Sequence, residues 1–418
     1  MAPILEDTAR TFKVLVIGGS YGGLSAALNL QDLCRGKSPR CGPAAKEGDA
    51  PVERPQFAVD ITIVDERDGF YHLIGSPLAL ASEAYAEKAW VKFEDIPALQ
   101  APNIRVLQGS VQSVDPETKT AIVVRGNGSQ ATDLHYDFLV AAAGLRRAWP
   151  VVPQSLRKKQ YLFEAGDHIR AATKAKHGVV IVGGGAVGIE MAAELKLVRP
   201  ELKVTLVHSR DKLLSAEPLP DSVKDESLKL VREANVDVLL SHRLDRAEEI
   251  TDDVTGADCL RLHFTNGHLM LADQVSLAVS KSVPSTRFLP QNVLDEEGYV
   301  KVQASLAFPE PTPNAADHLA LGDMIRWSGI KRCGAAMHMG YFAAHNLHQR
   351  MQDKSDEFLS LAEIPPMIGL AVGKKAVSYW PGAGVSSGED VMKAFFGDDL
   401  GFTICWNHLG LGGDKITA

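Results

Sequence analysis

The stretch Gly178-Val179-Val180-Ile181-Val182-Gly183-Gly184-Gly185-Ala186-Val187-Gly188-Ile189-Glu190-Met191-Ala192-Ala193-Glu194-Leu195 decides how this chain folds. Gly178 to Val182 is a short apolar run rich in Val and Ile, which reads as a buried strand. Ile189 to Leu197 reads as a helix. Between them Gly183, Gly185 and Gly188 match G-x-G-x-x-G, with Val187 inside the turn. The first glycine permits the tight turn, and the second lets a pyrophosphate reach the backbone. The third lets helix pack on strand, while the helix N-terminus attracts the anion. A glycine turn alone says little; flanked by strand and helix it predicts a dinucleotide-binding βαβ unit.

The same order occurs once before. Phe12 to Ile17 is a strand, Gly18-Gly19-Ser20-Tyr21-Gly22-Gly23 a turn, and Leu24 to Leu33 a helix. Ser20 replaces the middle glycine; it is small, and its hydroxyl reaches a phosphate. A second strand, Ile61 to Val64, ends on Asp65, followed by Glu66 and Arg67. A carboxylate there accepts hydrogen bonds from ribose hydroxyls. The corresponding strand of the second unit, Val204 to Val207, ends instead in His208-Ser209-Arg210. With no acid to repel a 2′-phosphate, and Arg210 able to pair with one, NADPH is expected beside NADH. The bland alternative is an arginine on a solvated loop.

Outward from these units the pattern is less regular. Arg35 to Gln56 reads as a surface insertion. Residues 104–124 read as a small antiparallel unit with a turn at Asp115-Pro116-Glu117-Thr118. Phe138 to Ala143 is a strand ending at Gly144, and Leu319 to Leu321 another ending at Gly322-Asp323. A hairpin is expected across Asn266-Gly267, with short strands at Val275 to Val279 and Tyr299 to Val302. A helix is expected over 333–350, then two strand-like runs, Met367 to Val372 and Ala376 to Tyr379.

Composition agrees and excludes alternatives. At about 150 residues per domain, 418 residues make two to three domains. Hydrophobic residues are 45% and charged residues 23%, which rules out a disordered or collagen-like chain. A net charge of −8 disfavours nucleic acid as a partner. Five cysteines are too few, and odd in number, for a disulfide-stapled secreted domain. The start has no basic region followed by an apolar run, Ala2 excludes N-myristoylation, and no apolar run approaches the span of a bilayer. The expectation is a cytoplasmic protein, monomer or homodimer, with peripheral membrane contact not indicated.

Together, the two turns, Phe138-Leu139-Val140-Ala141-Ala142-Ala143-Gly144 and Leu319-Ala320-Leu321-Gly322-Asp323 resemble the FAD-dependent pyridine nucleotide-disulfide oxidoreductase superfamily. Gly184 to Glu194 and Val204 to Ser209 resemble one branch of it, the apoptosis-inducing-factor-like group of the ferroptosis-suppressor type, NAD(P)H:quinone oxidoreductases without a redox disulfide. The resemblance spans roughly residues 12–350. It implies an α/β protein of two Rossmann-like, three-layer domains, the NAD(P) domain inserted in the FAD domain, plus a small C-terminal α+β segment. The expected boundaries are 1–150 and 285–355 for the FAD domain, 151–284 for the NAD(P)H domain and 356–418 for the C-terminal segment.

By resemblance, Gly18, Ser20, Tyr21, Gly22 and Gly23 cradle the FAD pyrophosphate, and Asp65, with Glu66 and Arg67 beside it, holds the adenosine ribose. Val111 meets the adenine, Ala143 and Gly144 line the flavin side, and Gly322 and Asp323 reach the ribitol. Gly183, Gly185, Val187, Gly188, His208, Ser209 and Arg210 take NAD(P)H. Glu190 fixes the hydride donor, and Lys331, with Arg332 next to it, favours the anionic reduced flavin. The implied activity takes hydride from NAD(P)H to flavin N5 and passes electrons to a small-molecule acceptor, a quinone-like aromatic, with oxygen as a slow sink. Two other readings stay open: a flavin-dependent oxidase or monooxygenase acting on an aromatic small molecule, and an NAD(P)H-responsive sensor that binds a partner.

The departures are specific. Cys34 and Cys41 come later than the redox pair of the disulfide reductases and read as free thiols. Lys281 stands where relatives tend to have glycine, three residues before Pro284. His72 and His338 are further residues that could approach a flavin, although a lone histidine is more often packed. Trp380, Phe395, Phe396, Phe402 and Trp406 read as core, with a roof over a quinone pocket or a membrane-dipping face as alternatives. No His/Cys spacing suggests a metal site.

Overall fold

The computed structural model describes residues 10–43, 53–125, 131–252, 254, 256–279 and 281–413. The readings that rest on Ala2, the middle of the insertion and the last five residues lie outside the described residues.

The chain opens with β1 (Arg10–Ile17), whose residues Val14 to Ile17 are all buried. A strand buried on both faces belongs inside a parallel sheet with helices above and below. It leads through the glycine turn into α1 (Tyr21–Cys34), buried along its whole length. A helix apolar on all sides needs cover on all sides. The sheet covers one side. The other is met by α4, introduced below, at very short range: a Cβ on Gly340 would lie 2.6 Å from the Gly22 carbonyl oxygen, and the Ser25 hydroxyl donates to the Met337 carbonyl at 2.6 Å. Then come β2 (Phe57–Asp65), β3 (Ile104–Asp115), β4 (Thr120–Arg125), β5 (Thr132–His135) and β6 (Phe138–Ala141).

The second unit follows: α2 (Lys158–Lys174), β7 (Val179–Val182), α3 (Ala186–Val198), β8 (Val204–Val207), β9 (Asp237–Leu239) and β10 (Gln274–Leu277). Its sheet runs β9-β8-β7-β10, all parallel. An antiparallel sheet, with Asp258–Phe264 at its centre, covers one face. The chain leaves and re-enters the first unit through a short antiparallel neck, Leu145–Arg146 against Val283–Pro284, so the Lys281 departure leaves that pairing intact. Back in the first sheet, β11 (His318–Ala320) pairs with β6, giving the order β11-β6-β1-β2-β3-β4-β5, and α4 (Cys333–Met351) follows. The second unit is thus inserted in the first.

Three expectations are corrected. Residues 104–124 do not form a separate antiparallel unit. β3 is one strand whose first half pairs in parallel with β2, while its second half, from Gly109 on, pairs antiparallel with β4, with a register shift between Val111 and Ser113. Tyr299 to Val302 forms no strand; Val300 makes only isolated bridges to Leu294 and Ile325. The C-terminal segment has three strands rather than two: β12 (Ile368–Val372), β13 (Lys375–Trp380) and β14 (Gly384–Gly388). Gly388 and the serines of β14 hide its strand character from a hydrophobicity reading.

The C-terminal segment joins both units. Leu370, Val372 and Val377 enter the core formed by Ile189, Ala193 and Leu230 of the second unit. α5 (Phe402–His408) and the turn after it place Cys405, Leu409 and Leu411 in the core of the first. Polar ties hold it there. Arg40, paired with Asp32 at 2.7 Å, donates to the Leu409 carbonyl, and the Ala98 N–H donates to that of Leu411.

Candidate dinucleotide sites and redox centre

In the first turn Gly18 has φ +109°, and a Cβ there would lie 2.4 Å from the Ala142 carbonyl oxygen, so only glycine fits. A Cβ on Gly23 would meet the Gly18 oxygen at 1.8 Å, which is the close helix–strand packing the spacing demanded. Ser20 caps α1 without any side-chain cap hydrogen bond, leaving its hydroxyl available. Tyr21 turns inward. Its hydroxyl sits 3.1 Å from His72 Nδ1, so only its backbone remains for a phosphate. Asp65 accepts from the N–H groups of Gly19 (2.6 Å) and Arg67 (2.8 Å), and burial raises its carboxyl above the usual range. Arg67 donates to the Pro153 carbonyl, and Glu66 pairs with Arg146 and accepts from Ser110. Val111 lies at the register shift of β3.

The second turn repeats this construction. Gly183 has φ +124°, and a Cβ on Gly188 would lie 1.8 Å from the Gly183 oxygen. Around Gly185 a Cβ would meet nothing within 4 Å, the open approach a pyrophosphate needs. Val187 sits in the first turn of α3, half-buried. Gly184 N–H donates to His208 Nδ1 at 3.1 Å, and His208 Nε2 lies 2.8 Å from the Ser215 hydroxyl. Burial, then Arg210, lowers the His208 pKa. Ser209 and Arg210 are exposed, and Arg210 donates to the Ser215 carbonyl.

The charged groups of the centre come from three separate segments. Glu190, on α3, accepts from the Ala371 N–H of β12 at 3.3 Å, and burial pushes its carboxyl up to about 8. Gly322 and Asp323 follow β11. Gly322 has φ +75°, and burial raises the Asp323 carboxyl. Lys331 donates to the Ile325 carbonyl at 3.0 Å and lies over the Tyr299 ring; burial lowers its pKa against the pull of Asp323. Gly322, Asp323 and Lys331, together with Arg332, Ala335 and Met339, line a small pocket at the start of α4; Glu190 is not part of its lining. Ala143 N–H points at Met324 Sδ (3.1 Å), and at Gly144, φ +65°, a Cβ would meet nothing within 4 Å.

These residues fit FAD. Open backbone stands at Gly144, and Arg332 Nε is a buried donor without a partner beside the Asp323 pocket. Donors and space of this kind suit an anionic, flat ligand.

Other sequence candidates take structural places. His72 is fully buried between Tyr21 and the Leu400 carbonyl, and burial lowers its pKa to about 4, so it is a neutral strut. His338 packs its ring against Phe342. Cys34 and Cys41 are free and buried. Phe396 is core, Phe402 and Trp406 stack at 5.6 Å, and Trp380 and Phe395 are exposed. Glu194, one turn beyond Glu190, was not singled out; it is 1% exposed, with a carboxyl raised to about 8. Its i, i+4 spacing from Glu190 is the signal that could have found it.

The duplicated dinucleotide turn, with open backbone for an anionic ligand, is that of an FAD-dependent NAD(P)H oxidoreductase. The chain belongs to the pyridine nucleotide-disulphide oxidoreductase family, whose profile matches residues 12–340. It is 50% identical over 413 residues to oxidoreductase OXR1 of Ajellomyces capsulatus, covering 97% of this chain and 89% of that protein. It is 28% identical over 237 residues to ferroptosis suppressor protein 1 of Mus musculus, 57% of this chain and 54% of that protein. In fold it is similar to the sulfide:quinone oxidoreductase of Aquifex aeolicus, with TM-score 0.66 and 18% identity, covering 97% of this chain and 93% of that one. No helix of the described residues is long and apolar enough to cross a membrane.

Proposed function

We propose that this oxidoreductase delivers electrons from NAD(P)H through FAD to a quinone-like aromatic acceptor. FAD, when bound, accepts a hydride and releases its electrons singly or in pairs; the protein holds, orients and excludes water. The Gly18–Gly23 turn with Ser20 and the α1 N-terminus holds the FAD pyrophosphate, Asp65 the adenosine ribose, and Asp323 the ribitol. The Gly183–Gly188 turn holds the pyrophosphate of NAD(P)H, with Arg210 at the 2′-phosphate. Glu190, neutral below about pH 8, orients the nicotinamide without a charge of its own. Lys331 and Arg332 put positive charge at the start of α4, where negative charge develops on reduction.

The observation that carries the cofactor part is the repeated turn, built with the same close approaches in both units and open at Gly185. Two observations support the acceptor. The stacked Phe402 and Trp406 rings on α5 offer a flat aromatic platform, and one fold neighbour that spans nearly all of both chains is by name a sulfide:quinone oxidoreductase.

The test is stopped-flow reduction of the purified flavoprotein with NADH and with NADPH, followed by reoxidation with a short-chain ubiquinone or with oxygen. Fast flavin bleaching and quinone reoxidation faster than oxygen are expected. Reoxidation by oxygen alone would overturn the acceptor, and a protein unable to bind FAD would overturn the whole reading.

A further inference from the structure

A cavity of about 340 Å³ lies away from both dinucleotide turns. It opens where three segments meet: Ala81 to Glu83, the C-terminal end of α2, and the end of α3. The glycine turn that begins α3 lies at the opposite end of that helix, about 18 Å away along its axis. The floor of the cavity is apolar. Ala81 and Ile169 are buried, and Val198 joins them half-buried. Ala81 belongs to the core of the second unit, so the cavity is built on packed structure and not on a loose loop.

Its charged lining is basic. Arg170, Lys174 and Arg199 stand against one acid, Glu83. Arg170 is taken up by Glu83 at 3.6 Å and by Asp167, which precedes it on α2. Lys174 and Arg199 have no ion pair among the described residues, and Arg199 Nε is buried with no hydrogen-bond partner. Cations at helix C-termini are commonplace because they offset the macrodipole, and Lys174 ends α2 while Arg199 follows α3. A solvated cation serves that purpose. It does not call for a buried guanidinium N–H without an acceptor, a donor that folded proteins rarely leave unmet. The Ser82 hydroxyl accepts from the Tyr85 N–H at 3.3 Å, so its own proton is free to donate.

We propose that this cavity binds a small phosphate monoester with an apolar, ring-sized body. Two cations left without a carboxylate match the nearly doubly negative charge of such a monoester at neutral pH. The planar Arg199 guanidinium offers directed donors, the unmet Nε among them, and Lys174 adds a point charge from the rim. Ser82 supplies a neutral donor. Ala81, Ile169 and Val198 receive the body, and a volume of about 340 Å³ lies at the lower end of small-molecule sites. Inorganic phosphate would leave that apolar floor uncovered. The site is one of recognition, with no bond made or broken, and it stands independently of the flavin and of the acceptor proposed above.

The experiment uses the FAD-loaded, full-length protein saturated with NAD+, a coenzyme without a phosphate monoester, so that both dinucleotide turns are filled. Isothermal titration with 1-naphthyl phosphate should show one site per chain. 1-Naphthol, which lacks the phosphate, and inorganic phosphate, which lacks the ring, should each bind about tenfold more weakly or worse. Arg199→Met keeps the apolar stem and removes the donors; it should weaken 1-naphthyl phosphate about tenfold. Lys174→Gln changes an exposed side chain, so it keeps the test open if the Arg199 variant folds poorly, and it should weaken binding in the same direction. Thermal melts should show a ligand-induced rise in Tm that shrinks in both variants. No binding of 1-naphthyl phosphate at millimolar concentration, or equal affinity in wild type and both variants, overturns the proposal. So does binding of 1-naphthol or of inorganic phosphate as tight as that of the ester. A protein that fails to hold FAD or NAD+ would strike the functional reading instead, and the same titration of that protein still decides the cavity.

Discussion

Asp65 and His208 hold the same position in the two units. Asp65 ends the second strand of its βαβ unit and His208 directly follows that of the other; each accepts a hydrogen bond from the second residue of the glycine turn, Gly19 N–H at 2.6 Å and Gly184 N–H at 3.1 Å. The backbone bond is kept, but the charge is changed. A carboxylate there attracts two ribose hydroxyls and repels a phosphate; a neutral imidazole with Arg210 beside it does neither. Since Nδ1 accepts from Gly184, the ring proton sits on Nε2 and points to Ser215.

His208→Asp should therefore shift the coenzyme preference toward NADH, by about tenfold in the ratio of kcat/KM values, roughly 1.4 kcal/mol. Arg210→Ala should weaken NADPH more than NADH. Steady-state kinetics with both coenzymes checks this, and equal effects on both would reject the phosphate role of Arg210.

The glycines of the second turn separate folding from binding. Gly185→Ala meets no atom within 4 Å, so the protein should fold, keep its FAD and show a raised KM for NAD(P)H. Gly188→Ala would drive a methyl to 1.8 Å from the Gly183 oxygen and should lower Tm and soluble yield. Circular dichroism, flavin content and KM distinguish the two. A Gly185→Ala variant with unchanged KM would place the coenzyme elsewhere.

Glu194 predicts a pH dependence of stability. Its carboxyl titrates at about 8 in the native state against an ordinary 4.5, so the folded protein holds the proton more tightly than the unfolded chain. Stability should fall as pH rises from about 4.5 to about 8 and level off above. Glu194→Gln, which keeps an oxygen for the Gly373 N–H, should flatten that slope and raise Tm at pH 8 relative to wild type. Thermal melts across pH 5 to 9 measure it; an unchanged slope counts against a neutral buried Glu194.

Glu190 should leave its mark on turnover instead. With its carboxyl near 8, KM for NAD(P)H should inflect there in wild type and not in Glu190→Gln. Flavin content should be the same in both. An inflection that survives the substitution belongs to another group.

His177 gives a sign that can be checked separately. Its two ring nitrogens face Asp273 (2.9 Å) and Asp252 (3.1 Å), and hydrogen bonds to Asp273 and then Asp252 raise its pKa above 6.5. A raised histidine pKa stabilises the native state in full below 6.5, and the gain is lost as pH climbs through the raised value. His177→Gln should lower Tm at pH 6 more than at pH 9.

Much of this protein was legible in the sequence alone. The glycine turns and the strands around them follow from local constraints, whereas the insertion of one unit in the other was implied by resemblance and rests on long-range pairings. A φ beyond the reach of other residues at Gly18 and Gly183, and the closeness of helix to strand at Gly23 and Gly188, are set by a few neighbouring residues. A strand such as β14, built of serine and glycine, offers no such local signal, and its place depends on pairing with β13. The charge states belong to tertiary structure entirely. Glu190 becomes a neutral carboxyl only because β12 covers it, and His72 a neutral strut only because the chain near Leu400 returns to it. Sterics of a turn act over a few bonds, whereas desolvation and hydrogen bonding depend on whichever distant segment arrives to exclude water.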